Sequence, residues 1–178
     1  MARTDNTMDI LNLQFTSSEA EEQLIIFSVG NEEYGLDVLR VQEIIRHVTP
    51  TKIPHAPDFV EGVINFRGDV IPTICLRKRF GLPPRTDHEF TVIIVIEMNG
   101  KIVGLTVDQV SDILNIPAEQ IQVTPELSAR PETQYLKAMG KLGNRLILIL
   151  DLDKIMSINS QEQLEQIIAE TNPSVTQD

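Results

Sequence analysis

Four turn dipeptides, each flanked by short runs rich in Val, Ile and Leu, constrain this chain more than any other feature. Gly30-Asn31 follows Leu24–Val29 and precedes Tyr34-Gly35-Leu36. Gly68-Asp69 separates Val63–Arg67 from Val70–Cys75. Asn99-Gly100 separates Thr91–Met98 from Lys101–Val107, and Gly143-Asn144 separates Tyr135–Leu142 from Arg145–Leu150. Runs of this length and composition, joined by two residues that tolerate positive φ, read as β-hairpins. Aromatic residues make up only 4% of the chain and Trp is absent, so the core must be built from branched aliphatics, which suit strands.

Between the hairpins the pattern changes. Val38, Val41, Ile44 and Ile45 recur at helical spacing behind Asp37, which predicts a capped helix finished before Pro50. Thr51–Pro57 reads as extended, and Asp58 followed by Glu61 as a one-turn helix. Leu76–Phe80 can form one helical turn, stopped by Gly81 and Pro83-Pro84. Residues 111–134, with three prolines, read as a looser stretch. Ser160–Gln163 is a capping box, and Leu164, Ile167 and Ile168 form one apolar stripe, so a C-terminal helix is expected. A faint repeat is present: Gly68-Asp69, Ile71–Ile74, Cys75-Leu76 and Lys78 resemble Gly143-Asn144, Ile147–Leu150, Asp151-Leu152 and Lys154. It predicts two small β subdomains. Each alone would bury little surface, so they should share an apolar seam.

The net charge of −11 is concentrated at the ends. Residues 1–22 set Asp5, Asp9, Glu19, Glu21 and Glu22 against Arg3 alone, and residues 157–178 hold four carboxylates with no Lys or Arg. A body this close to neutral lacks the basic footprint of a nucleic-acid binder. The single Cys75 excludes an internal disulfide and reads as a buried, inert thiol in an apolar run. No signal peptide is expected behind Met1. The longest apolar runs, Val92–Ile96 and Leu146–Leu150, fall far short of the roughly 20 residues a membrane span needs. A cytoplasmic protein without membrane insertion is expected. Catalysis finds little support. His47, His55 and His88 lie in different segments without metal spacing, Asp151 and Asp153 have no companion base or nucleophile, and no phosphate loop occurs. No cofactor or metal is expected.

The most informative stretch runs from Gly62 to Ile74. By the two-residue period, Asn65 and Arg67 share one strand face, Gly68 supplies the turn, and Pro72 places its strand at an edge or bulge. An exposed guanidinium on an edge hairpin suits either solvent or a docking partner. Arg67, Arg77, Lys78, Arg79 and Arg85 around Asp69 form a local basic patch. It reads either as steering for an acidic partner or as cations opposing a helix dipole at residues 77–79.

At this stretch the chain resembles the CheW-type chemotaxis coupling proteins. Asn65-Phe66-Arg67-Gly68, Ile71-Pro72, Leu76-Arg77 and Phe80-Gly81 look like that family's signature. Glu33–Asp37, Val41–Ile44, Gly104–Val110, Tyr135-Leu136 and Leu146–Leu150 match other family segments in order, over roughly residues 21–156. Cys75 departs from the usual Asp, and Phe66 from the usual Leu. The resemblance implies a mainly β fold of two SH3-like five-stranded barrels packed together. It implies the family domain, with its intertwined barrels, over 21–157; the polar ends beside it read as a flexible tail over residues 1–20 and a C-terminal helix and acidic tail over 158–178. It further implies a non-enzymatic adaptor that couples the cytoplasmic tip of a methyl-accepting chemoreceptor to the regulatory domain of the histidine kinase CheA, recruited to membrane-associated receptor arrays. Carried over residue by residue, Val41, Glu43, Gly62, Asn65, Arg67, Gly68, Val92 and Ile94 are the expected contact positions. Val92 and Ile94 read equally well as plain core, and Glu43 as a solvated helix face. A scaffold in another histidine-kinase pathway, such as surface motility, and a small-molecule-binding sensor barrel are the alternative readings.

Overall fold

A computed structural model describes residues 21–83, 89–123 and 135–155. The first hairpin is β1 (Glu21–Val29) and β2 (Glu32–Asp37), followed by β3 (Val41–Arg46). Then come the hairpin β4 (Val60–Phe66) and β5 (Asp69–Cys75), the single helical turn α1 (Leu76–Arg79), and the hairpin β6 (Val92–Met98) and β7 (Lys101–Val107). β8 (Gln109–Pro117), the two-residue β9 (Ile121–Gln122), β10 (Leu136–Leu142), β11 (Arg145–Leu150) and the helical turn α2 (Leu152–Ile155) complete it. All four expected hairpins form. The expected C-terminal helix and both acidic tails lie outside the described residues.

The strands make two sheets, ordered β8-β1-β2-β11-β10-β9 and β3-β6-β7-β5-β4. Each is a small SH3-like barrel, here called barrel A and barrel B in that order. In barrel B, Thr51, just beyond edge strand β3, bridges to Val63 on the opposite edge strand β4. In barrel A, Ile116 of edge strand β8 reaches across to β10, where a Cβ on Gly140 would stand 3.0 Å from its Cδ1.

The two barrels are circular permutations of one plan. β5 runs parallel to β7, with Thr73 opposite Gly104, and β11 runs parallel to β2, with Ile149 opposite Gly35. The weak repeat therefore maps onto equivalent positions, but the second unit takes its last two strands from the chain's beginning. Matching backbone hydrogen bonds confirm the equivalence. Cys75 N–H donates to Phe59 O at 2.8 Å, and Asp151 N–H to Tyr135 O at 2.8 Å.

Strand faces explain the unbroken apolar runs. In β6, Ile93 and Val95 point into barrel B beside Ile64 and Ile71, while Ile94, Ile96 and Met98 point to the seam. In β1, Leu24 and Ile26 fill barrel A with Ile116, Ile147 and Ile149, while Ile25, Phe27 and Val29 face the seam. Strands buried on both faces cannot alternate with polar residues. The seam cluster is the largest of the three, as expected for barrels too small to stand alone.

Three segments differ from the sequence reading. The expected helix after Asp37 is only a 3₁₀ turn, Val38–Arg40, and the chain then enters β3. Asp37 does cap that turn, its Oδ1 accepting Leu39 N–H at 2.9 Å. Beyond it, β-branched Val41, Ile44 and Ile45 gain more by pairing with β6 than a short isolated helix could supply. A bulge between Val41 and Glu43 disturbs the strand's alternation and leaves apolar spacing that mimics a helix. Residues 58–61 are not helical: Val60 N–H donates to Pro57 O at 2.9 Å, and β4 begins there. The stretch from residue 111 opens on β8, an edge strand whose exposed polar side chains conceal its pairing with β1.

Candidate docking face

Arg67 is the centre of the candidate face, and its backbone explains its presentation. It lies in the turn between β4 and β5 and not on the strand face with Asn65, which corrects the sequence reading. Arg67 has φ 53° and Gly68 φ 87°, as a two-residue hairpin turn of the primed type requires. Asn65 closes the turn by accepting Gly68 N–H on Oδ1 at 3.0 Å. The Arg67 side chain is 67% exposed, stacks 4.9 Å over the Phe66 ring and forms an ion pair with Glu43 on β3. The pair bridges the hairpin turn to the edge strand. At this exposure it contributes at most about 1 kcal/mol to folding, so its main effect is to orient the two side chains.

Around that pair the expected positions divide. Val41, half-buried, lies opposite Ile96. Val92, also half-buried, lies opposite Arg46. Both sit at the margin of the seam and present surface. Ile94 is 0% exposed and packs in the seam cluster, so its contribution is to the core beneath the face. Gly62 is buried under the Thr51 backbone and contributes shape. Ile44, 38% exposed, and Leu39, 85% exposed, join the same edge. Reading β3 as a helix hid them, since both then fall within an amphipathic turn. The bulge-shifted strand alternation was the signal that would have found Ile44; Leu39 lies in the 3₁₀ turn before β3.

Barrel A repeats the device. Arg145, at the start of β11, donates to Asp112 of edge strand β8 at 2.9 Å and to Glu33 of β2 at 2.8 Å. These hydrogen bonds hold its guanidinium more firmly protonated than usual. Asp112 pairs with Ile26 where Glu43 pairs with Val95, and exposed Ile113 corresponds to Ile44.

The basic patch largely dissolves in three dimensions. Arg77 donates to Asp108 from Nε and Nη2, each at 2.9 Å, and from Nη1 to Pro83 O at 2.9 Å. The hydrogen bonds to Asp108 push its pKa up. Arg79 donates to Ile155 O at 2.8 Å between the Phe59 and Tyr135 rings. Lys78 alone of the three α1 cations is solvent-exposed. Arg85 and His88 lie outside the described residues.

Cys75 is half-buried at the N-cap of α1 and makes no side-chain capping bond. Burial pushes its thiol pKa up, and nearby Glu61 raises it further. Its counterpart Asp151 does cap α2, accepting Asp153 N–H at 3.1 Å. Cys75→Asp should therefore recover about 1 kcal/mol of capping energy, reduced by repulsion from Glu61. Urea denaturation should show the gain more fully in a Glu61→Gln background than with Glu61 present. Equal gains in both backgrounds would exclude that repulsion. The Glu61 carboxylate accepts the Thr106 hydroxyl at 2.5 Å and lies 4.0 Å from His47. Among the described residues, no group of three or more His, Cys, Asp or Glu could hold a metal ion. Nor, among them, is any helix long and apolar enough to cross a membrane.

The comparisons with known proteins agree with this geometry. The family model described as CheW-like domain matches residues 23–159. The chemotaxis protein CheW of Klebsiella aerogenes is 40% identical over 146 residues, which span 82% of this chain and 88% of that protein. The probable chemotaxis protein CheW of Rhizobium etli is 37% identical over 145 residues, covering 82% and 94%. The crystal structure of the scaffolding protein TtCheW from Thermoanaerobacter tengcongensis matches with a TM-score of 0.72 and 35% identity, over 78% of this chain and 94% of that one. With the domain matched across both barrels and relatives this similar along nearly their whole length, the chain belongs to the CheW-like family of chemotaxis proteins.

Proposed function

We propose that this chain is a non-enzymatic chemotaxis adaptor. It docks on the cytoplasmic tip of a methyl-accepting chemoreceptor and on the regulatory domain of the kinase CheA, and so holds the kinase where receptor conformation biases it. It acts in the cytoplasm, at membrane-associated receptor arrays. The observation that carries this reading is Arg67: a guanidinium 67% exposed, raised on a rigid primed turn and aimed by Glu43. Val41, Asn65, Gly68 and Val92 complete the contact face around it, with Gly62 and Ile94 supporting it from below. A pre-organised arginine beside apolar surface is the usual composition of an interface anchor.

The test separates folding from binding on one preparation. Arg67→Ala should change unfolding free energy by no more than about 0.5 kcal/mol, since the side chain is exposed and its ion pair weak. It should weaken binding to a receptor cytoplasmic fragment by about 2 kcal/mol, or roughly thirtyfold. Receptor-dependent CheA output should fall with it. Normal affinity per folded molecule would remove Arg67 from the face.

A further inference from the structure

We infer that α1 is a keystone that fixes the mutual orientation of the two barrels through its arginines. The seam is built mainly from aliphatic side chains, whose contacts are non-directional. Orientation needs groups with fixed geometry, and α1 supplies them at two separate points.

The first point joins counterpart residues of the two barrels, as a site near a two-fold relation between them would. Phe59 precedes β4 and Tyr135 precedes β10, and their carbonyls accept equivalent hydrogen bonds. The Arg79 guanidinium sits between these counterpart rings, 4.2 Å from the centroid of one and 5.0 Å from the other. It also donates at 2.8 Å to the carbonyl of Ile155, the residue that occupies in α2 the place Arg79 holds in α1. A contact between counterparts is what such a site produces. A ladder of rings continues away from it: Tyr135 to Phe80 at 5.6 Å, Phe80 to Tyr34 at 5.0 Å and Tyr34 to Phe27 at 5.9 Å. In a chain with only six phenylalanines and two tyrosines, both tyrosines and three phenylalanines gather here. Rigid rings leave a guanidinium few alternative seats.

A single contact does not prevent rotation about it. The second point does. Arg77 holds Asp108, in the connection from β7 to β8, and the same carboxylate accepts the N–H of Gly30 in the β1–β2 turn at 2.9 Å. Asp108 N–H donates to Ser28 O at 3.0 Å. Barrel B, the connection and barrel A are thus tied in sequence. The helix α2 carries Asp153 and Ile155 where α1 carries Arg77 and Arg79, so the arginine contacts come from α1 alone.

The experiment measures orientation directly, on the full chain without partners, so its outcome is independent of the adaptor reading. Spin labels are placed at Lys101→Cys in barrel B and Lys141→Cys in barrel A, both exposed turn-proximal sites, in a Cys75→Ser background. Pulsed dipolar spectroscopy should give one narrow distance. Arg79→Ala should at least double the width of that distribution, while amide protection inside each barrel is retained. Arg79→Lys keeps a donor for Ile155 O but loses the planar stack, and should give an intermediate width. It decides the matter by the same measure if the alanine variant is poorly folded. An unchanged width in a folded Arg79→Ala or Arg79→Lys protein would overturn the inference. So would loss of protection in both barrels together without broadening, which would make Arg79 an ordinary core contact.

Discussion

Gly62→Ala is expected to destabilise the protein by roughly 3 kcal/mol or more, although it adds a single methyl group. Gly62 has φ +149°, a conformation closed to residues with a side chain. A Cβ there would fall inside van der Waals contact of the Thr51 carbonyl oxygen and 2.7 Å from its carbon, with Pro50 Cβ at 3.1 Å. These are backbone atoms and a proline ring, and none can rotate away. Relief requires the 50–53 segment to lift off β4. That breaks the pair of 2.9 Å hydrogen bonds between Thr51 and Val63 that closes barrel B, each worth about 1 kcal/mol. Gly68→Ala is the matched control. Its φ is +87°, but a Cβ meets nothing within 4 Å, so only the backbone penalty of about 1–2 kcal/mol applies. Urea denaturation of both variants should show Gly62→Ala the more costly. A cost no greater than that of Gly68→Ala would mean the Thr51 contact yields easily.

What the sequence made legible was the part encoded by neighbours. All four hairpins were readable, because a turn dipeptide and its flanking runs are contiguous in the chain. The short helix α1 was readable from Leu76–Phe80 and the Gly81 stop. β3 was not, because its strand state depends on pairing with β6, some fifty residues away, and its bulge mimics a helical period. β8 was hidden for a related reason: an edge strand exposing Gln109, Ser111, Asp112 and Asn115 looks like a loop until β1 is beside it. At the candidate face, Arg67 could be singled out as an exposed guanidinium beside Gly68, but neither its place in the turn nor its partner was readable. Glu43 stands 24 residues away, and only barrel closure brings them together. The cluster at residues 77–79 looked like surface charge because its acceptors, Asp108 and the Ile155 carbonyl, lie 31 and 76 residues further on.

That last pairing carries the second large expectation: Asp108→Ala should cost about 3 kcal/mol. The Asp108 side chain is 11% exposed and that of Arg77 17%, so neither charge is well hydrated if its partner is lost. Removing the carboxylate strands a guanidinium whose remaining contact is Pro83 O, and it takes the acceptor from Gly30 N–H in a turn held at φ +65°. Most of the loss is therefore the penalty for groups left behind, and the composition of the loss can be measured. Asp108→Asn keeps an oxygen for Gly30 while giving up the charge, and should cost roughly half as much. Arg77→Ala should be nearly as severe as Asp108→Ala, since it takes the paired guanidinium from a carboxylate only 11% exposed. The double variant should then cost well under the sum of the two, with a coupling energy of about 2 kcal/mol from the cycle. Additive losses would show that Asp108 and Arg77 stabilise the fold independently. The tie from α1 through Asp108 to the β1–β2 turn would then be two adjacent contacts instead of one connected strut.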